Sequence, residues 1–328
     1  MAEADVFTIW SNMQFSPALH ERLVRSLHPH RLVQAQDKTA NNLAGAGADA
    51  QLEQADIALG QPDPNQVMRL PRLRFVQLTT AGYTRYDNDA FRAAVKRNGT
   101  IVANASTIYA EPCAQHVAAM MLALARRLPQ SVDNQRTAHA WPYLPLRAQS
   151  RLLNGQTVLL VGYGAIARRL AQLLAPFEMN LIGFRRSARS DENGVKMRTI
   201  AQLDAHLPTA DHVVNILPAS DETENFFDAA RFAKLNPSAT YYNIGRGTTN
   251  DEAALEAALR EKQFAAAYID AFAKEPLPPS HPLWSTPNCH VTPHTAGGHS
   301  NEYERHVEMF LENMKRFQRG EELIDRIM

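Results

Sequence analysis

Thr157-Val-Leu-Leu-Val-Gly162-Tyr-Gly164-Ala-Ile-Ala167 decides how this chain is read. A strand-favouring apolar run enters a glycine turn, and a helix opens directly after it. Gly162 allows the tight turn, Gly164 leaves room for a pyrophosphate beside the backbone, and Ala167 stands where a third glycine would pack helix on strand. The amides of Ala165 and Ile166 at the helix start, next to Tyr163 in the turn, suit a phosphate. Such a motif alone is weak evidence. Here it lies inside a βαβ unit whose second strand, Asn180 to Phe184, follows at the expected distance, so a dinucleotide site is expected.

The end of that second strand selects the cofactor. Sites for NAD place Asp or Glu there, to bind the ribose 2′-hydroxyl. Arg185 stands in that place, followed by Arg186, Ser187 and Arg189. Guanidinium groups favour a 2′-phosphate that a carboxylate would repel. NADP(H) is therefore expected over NAD(H), with NAD(H) still possible.

Outward from the fingerprint, the same alternation continues. Thr157–Val161, Asn180–Phe184, His212–Leu217, Thr240–Ile244, Ala265–Asp270 and Cys289–Thr292 read as strands, separated by helical stretches such as 165–175, 199–207 and 251–262. An earlier set precedes it, with strands at Val6–Trp10, Arg31–Ala35, Ala55–Leu59, Phe75–Leu78 and Ile101–Ala103. Between the sets, Tyr109 to Leu128 reads as an apolar helix, buried between domains or subunits, with Pro112 tolerable only near its start. Ala138 to Ser150 reads as irregular. The last helix, 300–319, is long enough to return to the first domain. Strands and helices in alternation imply an α/β fold of two Rossmann-like domains, with parallel doubly wound sheets covered on both faces.

Bulk composition agrees with a small-molecule enzyme. The 328 residues are 45% hydrophobic and 21% charged, with 34 basic and 34 acidic side chains. That balance gives no electrostatic reason for a nucleic-acid or membrane partner. Two cysteines, Cys113 and Cys289, are too few for a disulfide scaffold. No signal peptide is apparent at Met1–Trp10, and the apolar stretch Val117–Ala125 is too short to cross a bilayer. A cytoplasmic location is expected.

Three segments carry reactive side chains at strand ends: Asn243-Ile-Gly-Arg246-Gly247, Asp270-Ala-Phe-Ala-Lys-Glu275-Pro and Val291-Thr-Pro-His294. Ligands of open parallel sheets sit at those ends. Hydride transfer to a ketone leaves charge on its oxygen, and His294 suits its protonation near neutral pH. Glu275 can fix the imidazole tautomer, while Arg246 can hold a carboxylate and polarise a carbonyl. His290, His294 and Cys289 are close in sequence, but Pro293 excludes the helix that would align them. No metal is expected.

With these motifs in order, the chain resembles the D-isomer-specific 2-hydroxyacid dehydrogenase family over essentially its whole length. The resemblance implies an Arg246/Glu275/His294 active site in a cleft between two domains. It assigns residues 1–104 and 298–328 to a discontinuous substrate domain, and residues 105–297 to the dinucleotide domain. Leu217, Pro218, Ile244, Asp270 and Gly297 would lie along the cofactor, and the amides of Ala81 and Gly82 would bind the substrate carboxylate. A homodimer is implied, with Trp141 of an irregular arm closing the partner's pocket, as in glyoxylate/hydroxypyruvate reductases. Cys113 falls near the nicotinamide position. Gln115 departs from the glutamate that many relatives carry before His116, which leaves the role of that pair open. The expected reaction is reduction of a small 2-keto acid to the D-2-hydroxy acid. Alternatives are an NAD-linked dehydrogenase of another 2-hydroxy acid, and a dinucleotide-sensing protein with little turnover.

Overall fold

The computed structural model describes residues 6–39, 47–187 and 190–328, apart from the side chains of residues 38 and 39. Arg189 therefore lies outside the described residues. The chain divides into two compact units, residues 1–109 with 299–328, and residues 110–298.

The first unit contains β1 (Thr8–Met13), α1 (Pro17–Leu27), β2 (Arg31–Thr39), β3 (Ile57–Gly60), α2 (Pro64–Arg69), β4 (Phe75–Leu78), α3 (Asp89–Asn98) and β5 (Ile101–Ala103). Its strands are all parallel, in the order β2-β1-β3-β4-β5. Both faces are apolar, because alternate residues serve opposite cores. Ile9, Ile57, Leu59 and Phe75 pack on Leu19, Leu23 and Phe310. Trp10, Ala58, Val76 and Leu78 pack on Val67, Phe91 and Val95. This period of two explains why the strands read as continuous hydrophobic runs. Each large side chain so buried contributes about 1.5–3 kcal/mol.

The helix α4 (Ser106–Ala125) begins in this unit and ends in the next. The sequence places Pro112 near the helix start, yet the helix opens earlier and carries Pro112 in its interior. Within the single chain its burial is one-sided. Cys113, Val117, Met121 and Leu124 form one buried stripe, while Leu122 is exposed. After α5 (Leu128–Arg136) comes α6 (Tyr143–Gln149), where the sequence predicts irregular chain. Pro145 falls in the first turn of α6, where a backbone donor has no intrahelical partner anyway, so the helix forms around it.

The second unit continues with β6 (Thr157–Val161), α7 (Ala165–Leu174), β7 (Asn180–Arg185), β8 (Lys196–Thr199), α8 (Leu203–His206), β9 (His212–Asn215), α9 (Ala229–Phe232), β10 (Thr240–Asn243), α10 (Glu252–Arg260), β11 (Ala266–Ile269) and β12 (Cys289–Val291). The strand order is β12-β11-β10-β9-β6-β7-β8, all parallel. The order reverses between β6 and β9, which opens a crevice at the carboxyl ends of the strands. The edge strand β8 is too short and polar to show in the sequence. The final helix, α11 (Glu302–Arg319), belongs to the first unit, where Phe310 stacks on Phe75 at 6.2 Å.

Candidate active site

The fingerprint forms the turn its glycines demand. Gly162 has φ +93°, and a methyl there would meet the Ile216 carbonyl oxygen at 2.8 Å. A methyl on Gly164 would meet nothing, and no side chain caps α7, which begins at Ala165 and Ile166. The Tyr163 ring is buried, lying where a methyl on Gly183 would meet it at 2.8 Å. The Tyr163 ring thus packs against β7, and its amide donates to the Phe184 carbonyl at 3.0 Å.

At the end of β7, Arg185 donates from Nε to the Tyr163 carbonyl at 2.7 Å. It braces the turn. Arg186 is the exposed guanidinium, with 88% of its side chain in solvent and Glu222 at 3.5 Å. Ser187 beside it is exposed as well.

Beyond β9 and β10 the loops pack backbone to backbone. The Leu217 amide donates to Asn215 Oδ1 at 3.1 Å, and a methyl on Gly245 would fall 2.6 Å from the Leu217 carbonyl oxygen. Leu217 and Ile244 are buried, and Pro218 is exposed next to them. Asn243 shapes the next turn, donating to the Arg246 carbonyl at 3.1 Å and accepting from the Gly245 amide at 3.0 Å. The Arg246 guanidinium donates to the Gly245 carbonyl at 2.8 Å. Burial pushes its pKa down, opposed by Glu275 and Cys113 nearby; an arginine still stays cationic at any working pH. Gly247 must lack a side chain, since a methyl would lie 1.8 Å from the Phe272 carbonyl carbon. That contact seats the Arg246 turn against the loop that holds Glu275.

Glu275 Oε2 lies 2.7 Å from His294 Nδ1, and Oε1 accepts from the Phe272 amide at 2.8 Å. A carboxylate only accepts, so Nδ1 carries the shared proton, and Nε2 is the nitrogen left to exchange protons with a ligand. His294 itself adopts φ +53°. Its turn is tied to Asp270, which is buried. Asp270 Oδ1 accepts from Thr292 Oγ1 at 2.5 Å and from the Thr295 amide at 2.9 Å. Oδ2 takes the Ala296 amide at 3.0 Å, and the Asp270 carbonyl takes the His294 amide at 3.0 Å. This organising role of Asp270 carries no signal in the sequence. Gly297 follows in the same turn, half-buried.

On α4, Cys113 is buried near Asp270 and Arg246, and burial pushes its thiol up to about 12. Gln115 bonds Glu111 at 2.6 Å, and Glu111 pairs with Arg169, so Gln115 faces away from its neighbour. His116 instead lies against the Tyr268 ring, with centroids 5.6 Å apart.

In the first unit, the Ala81 carbonyl accepts from Asn104 Nδ2 at 2.8 Å, and the Gly82 carbonyl from Thr80 Oγ1 at 2.7 Å. Both carbonyls of the loop are therefore held by its own surroundings. Trp141, in the segment between α5 and α6, is 90% exposed. Among the described residues, no three His, Cys, Asp or Glu side chains cluster as metal ligands.

Residues 118–296 match the family described as D-isomer specific 2-hydroxyacid dehydrogenase, NAD binding domain. The chain belongs to the D-isomer-specific 2-hydroxyacid dehydrogenases. As a member, it is an NAD(P)-dependent oxidoreductase. This dehydrogenase is 31% identical over 294 residues to the glyoxylate/hydroxypyruvate reductase B of Shigella boydii, covering 87% of each chain. It is 34% identical over 239 residues to the enzyme of that name from Citrobacter koseri, covering 72% of each. Among solved structures, a family protein from Aeromonas salmonicida aligns with TM-score 0.78 and 29% identity over 99% of each chain. A member from Xanthobacter autotrophicus Py2, in complex with NADPH and MES, aligns with TM-score 0.77 and 26% identity over 99% of this chain and 98% of that one. In the dehydrogenase described here, the uncapped start of α7 and the open space at Gly164 fit a dinucleotide pyrophosphate.

Proposed function

We propose that this dehydrogenase reduces a small 2-keto acid of the glyoxylate or hydroxypyruvate kind, with NADPH. The observation that carries the reading is the 2.7 Å contact of His294 with Glu275, near the half-buried Arg246. The bound nicotinamide supplies the hydride. His294 Nε2 gives a proton to the substrate's carbonyl oxygen, and Glu275 stabilises the imidazolium form and fixes the ring. Arg246 grips the carboxylate and polarises the carbonyl, with the Ala81 and Gly82 amides as further donors. Residues 105–297 serve as the dinucleotide domain, and residues 1–104 with 298–328 as the substrate domain. Leu217, Pro218, Ile244, Asp270 and Gly297 border the cofactor.

The preference for NADPH rests on Arg186 and Ser187, which are exposed beyond β7, where the strand ends in Arg185 and not in Asp or Glu. The name of one relative, an NADPH-dependent glyoxylate/hydroxypyruvate reductase from Sinorhizobium meliloti that is 25% identical, agrees with it. The chain works as a cytoplasmic homodimer in this reading. Leu122, Leu128, Val132, Trp141 and Leu144 are apolar and exposed in the single chain, as residues awaiting a second copy would be. Trp141 then closes the partner's substrate pocket. Loss of NADPH absorbance with a panel of 2-keto acids tests the activity. Turnover of glyoxylate or hydroxypyruvate is expected, and no turnover with any of them would leave a dinucleotide sensor as the reading.

A further inference from the structure

A line of buried and half-buried groups crosses the second sheet and ends beside His294, and the reaction steps above use none of their side chains. Tyr242 and Tyr268 are register partners on β10 and β11, fully buried, with ring centroids 6.4 Å apart. Tyr268 also pairs in register with His290 of β12. Thr292, two residues further along, is therefore its diagonal neighbour on the same face.

The Tyr268 hydroxyl lies 2.5 Å from Thr292 Oγ1, which in turn lies 2.5 Å from Asp270 Oδ1. The direction of these bonds follows from the chemistry of their ends. The Asp270 carboxylate only accepts, so Thr292 donates to it, and the Thr292 oxygen accepts from Tyr268. Burial holds the Tyr268 phenol well above its ordinary pKa, so it stays a donor. Asp270 then takes the Thr295 and Ala296 amides on its carboxylate and the His294 amide on its carbonyl. His294 sits between those anchors with φ +53°, a backbone state that a side-chain-bearing residue holds only when its surroundings impose it.

We infer that Tyr268 is a positioning residue for the proton donor: its hydroxyl, acting through Thr292 and Asp270, fixes the turn that carries His294. The inference rests on the acid role proposed for His294. Tyr268→Phe keeps the ring against His116 and Tyr242 and removes only the hydroxyl. Thr292→Val breaks the same link, and Thr292→Ser restores it.

In glyoxylate reduction, Tyr268→Phe and Thr292→Val are expected to lower kcat about tenfold or more, the order that a misplaced catalytic group costs. The KM for NADPH should stay within about twofold, Thr292→Ser should recover kcat, and the double variant should be no slower than the slower single one. A Tyr268→Phe enzyme with kcat within about twofold of the parent, whether or not its melting temperature falls, overturns the inference. Should the parent reduce no 2-keto acid, the proposed function fails by itself and a crystal structure of Tyr268→Phe decides. A His294 Nδ1 moved out of hydrogen-bond reach of Glu275 supports the positioning role, and an unmoved turn overturns it.

Discussion

Arg185 Nε donates to the carbonyl of Tyr163 at 2.7 Å, so the end of β7 is tied to the glycine turn it faces. The first arginine after the strand is thus a brace for the fingerprint, and the next one, Arg186, reaches into solvent. The two should differ as variants. Arg186→Ala is expected to raise the KM for NADPH about tenfold and leave that for NADH unchanged, the size of one lost charge-assisted bond. Arg185→Ala should weaken both cofactors and lower the melting temperature. Steady-state kinetics with each cofactor, beside a thermal scan, separates them; equal losses of NADPH and NADH in Arg186→Ala would end the assignment.

Removal of the imidazole tests the proton donor directly. His294→Ala should lower kcat by about 10²- to 10⁴-fold, the usual range for a general acid. Glu275→Gln should lose less, because the ring remains and only its carboxylate partner is gone. NADPH binding, followed by fluorescence titration, should be unchanged in both. A His294→Ala enzyme that retains most of its kcat would remove the histidine from the mechanism.

Gly247 should tolerate no side chain. The methyl of Gly247→Ala would overlap the Phe272 and Ala273 backbone, with the nearest atom at 1.8 Å. The loops must separate, at a cost of about 1–3 kcal/mol in stability. The separation pulls Arg246 away from Glu275, so kcat/KM should fall by more than the melting temperature suggests. Wild-type kinetics in Gly247→Ala would show that the close approach has no catalytic consequence.

His212 predicts the response to acid. It is buried between the Tyr242 hydroxyl at 3.0 Å and Gln156 Oε1 at 2.6 Å, and burial lowers its pKa from 6.5 to about 4. The unfolded chain therefore binds a proton in a range where the folded chain does not. Stability should fall as pH drops from 6.5 towards 4 and gain no further dependence from this group below that, with a loss of about 3 kcal/mol. Denaturant melts across this range should be flatter in His212→Gln. Parallel curves for parent and variant would assign the acid sensitivity elsewhere.

What could be read in the sequence was whatever a residue type alone dictates. Gly162 announces a turn because its φ of +93° favours glycine, and Arg246, Glu275 and His294 stand out because their chemistry belongs at strand ends. Contacts set by register were not legible. Tyr268 reads as one more core aromatic until β12 is laid beside β11 and brings Thr292 across from it. That both oxygens of Asp270 serve the His294 turn is set by the same loop geometry and has no signal in the residue type. The direction of a long side chain was equally hidden. Nothing in the order of Arg185 and Arg186 tells which one turns back to the backbone. The helix at Tyr143–Gln149 is hidden in the sequence because Pro142 and Pro145 signal irregularity unless a helix cap and first turn can absorb them.

The exposed ring of Trp141 gives the molecule an optical marker. Of three tryptophans, Trp10 is buried and Trp284 is half-exposed, so Trp141, at 90% exposure, should dominate red-shifted emission from an isolated chain. Anything that covers the arm will shift that emission to the blue and shield it from iodide. Dilution of the purified protein in a fluorimeter would then read out self-association without a label.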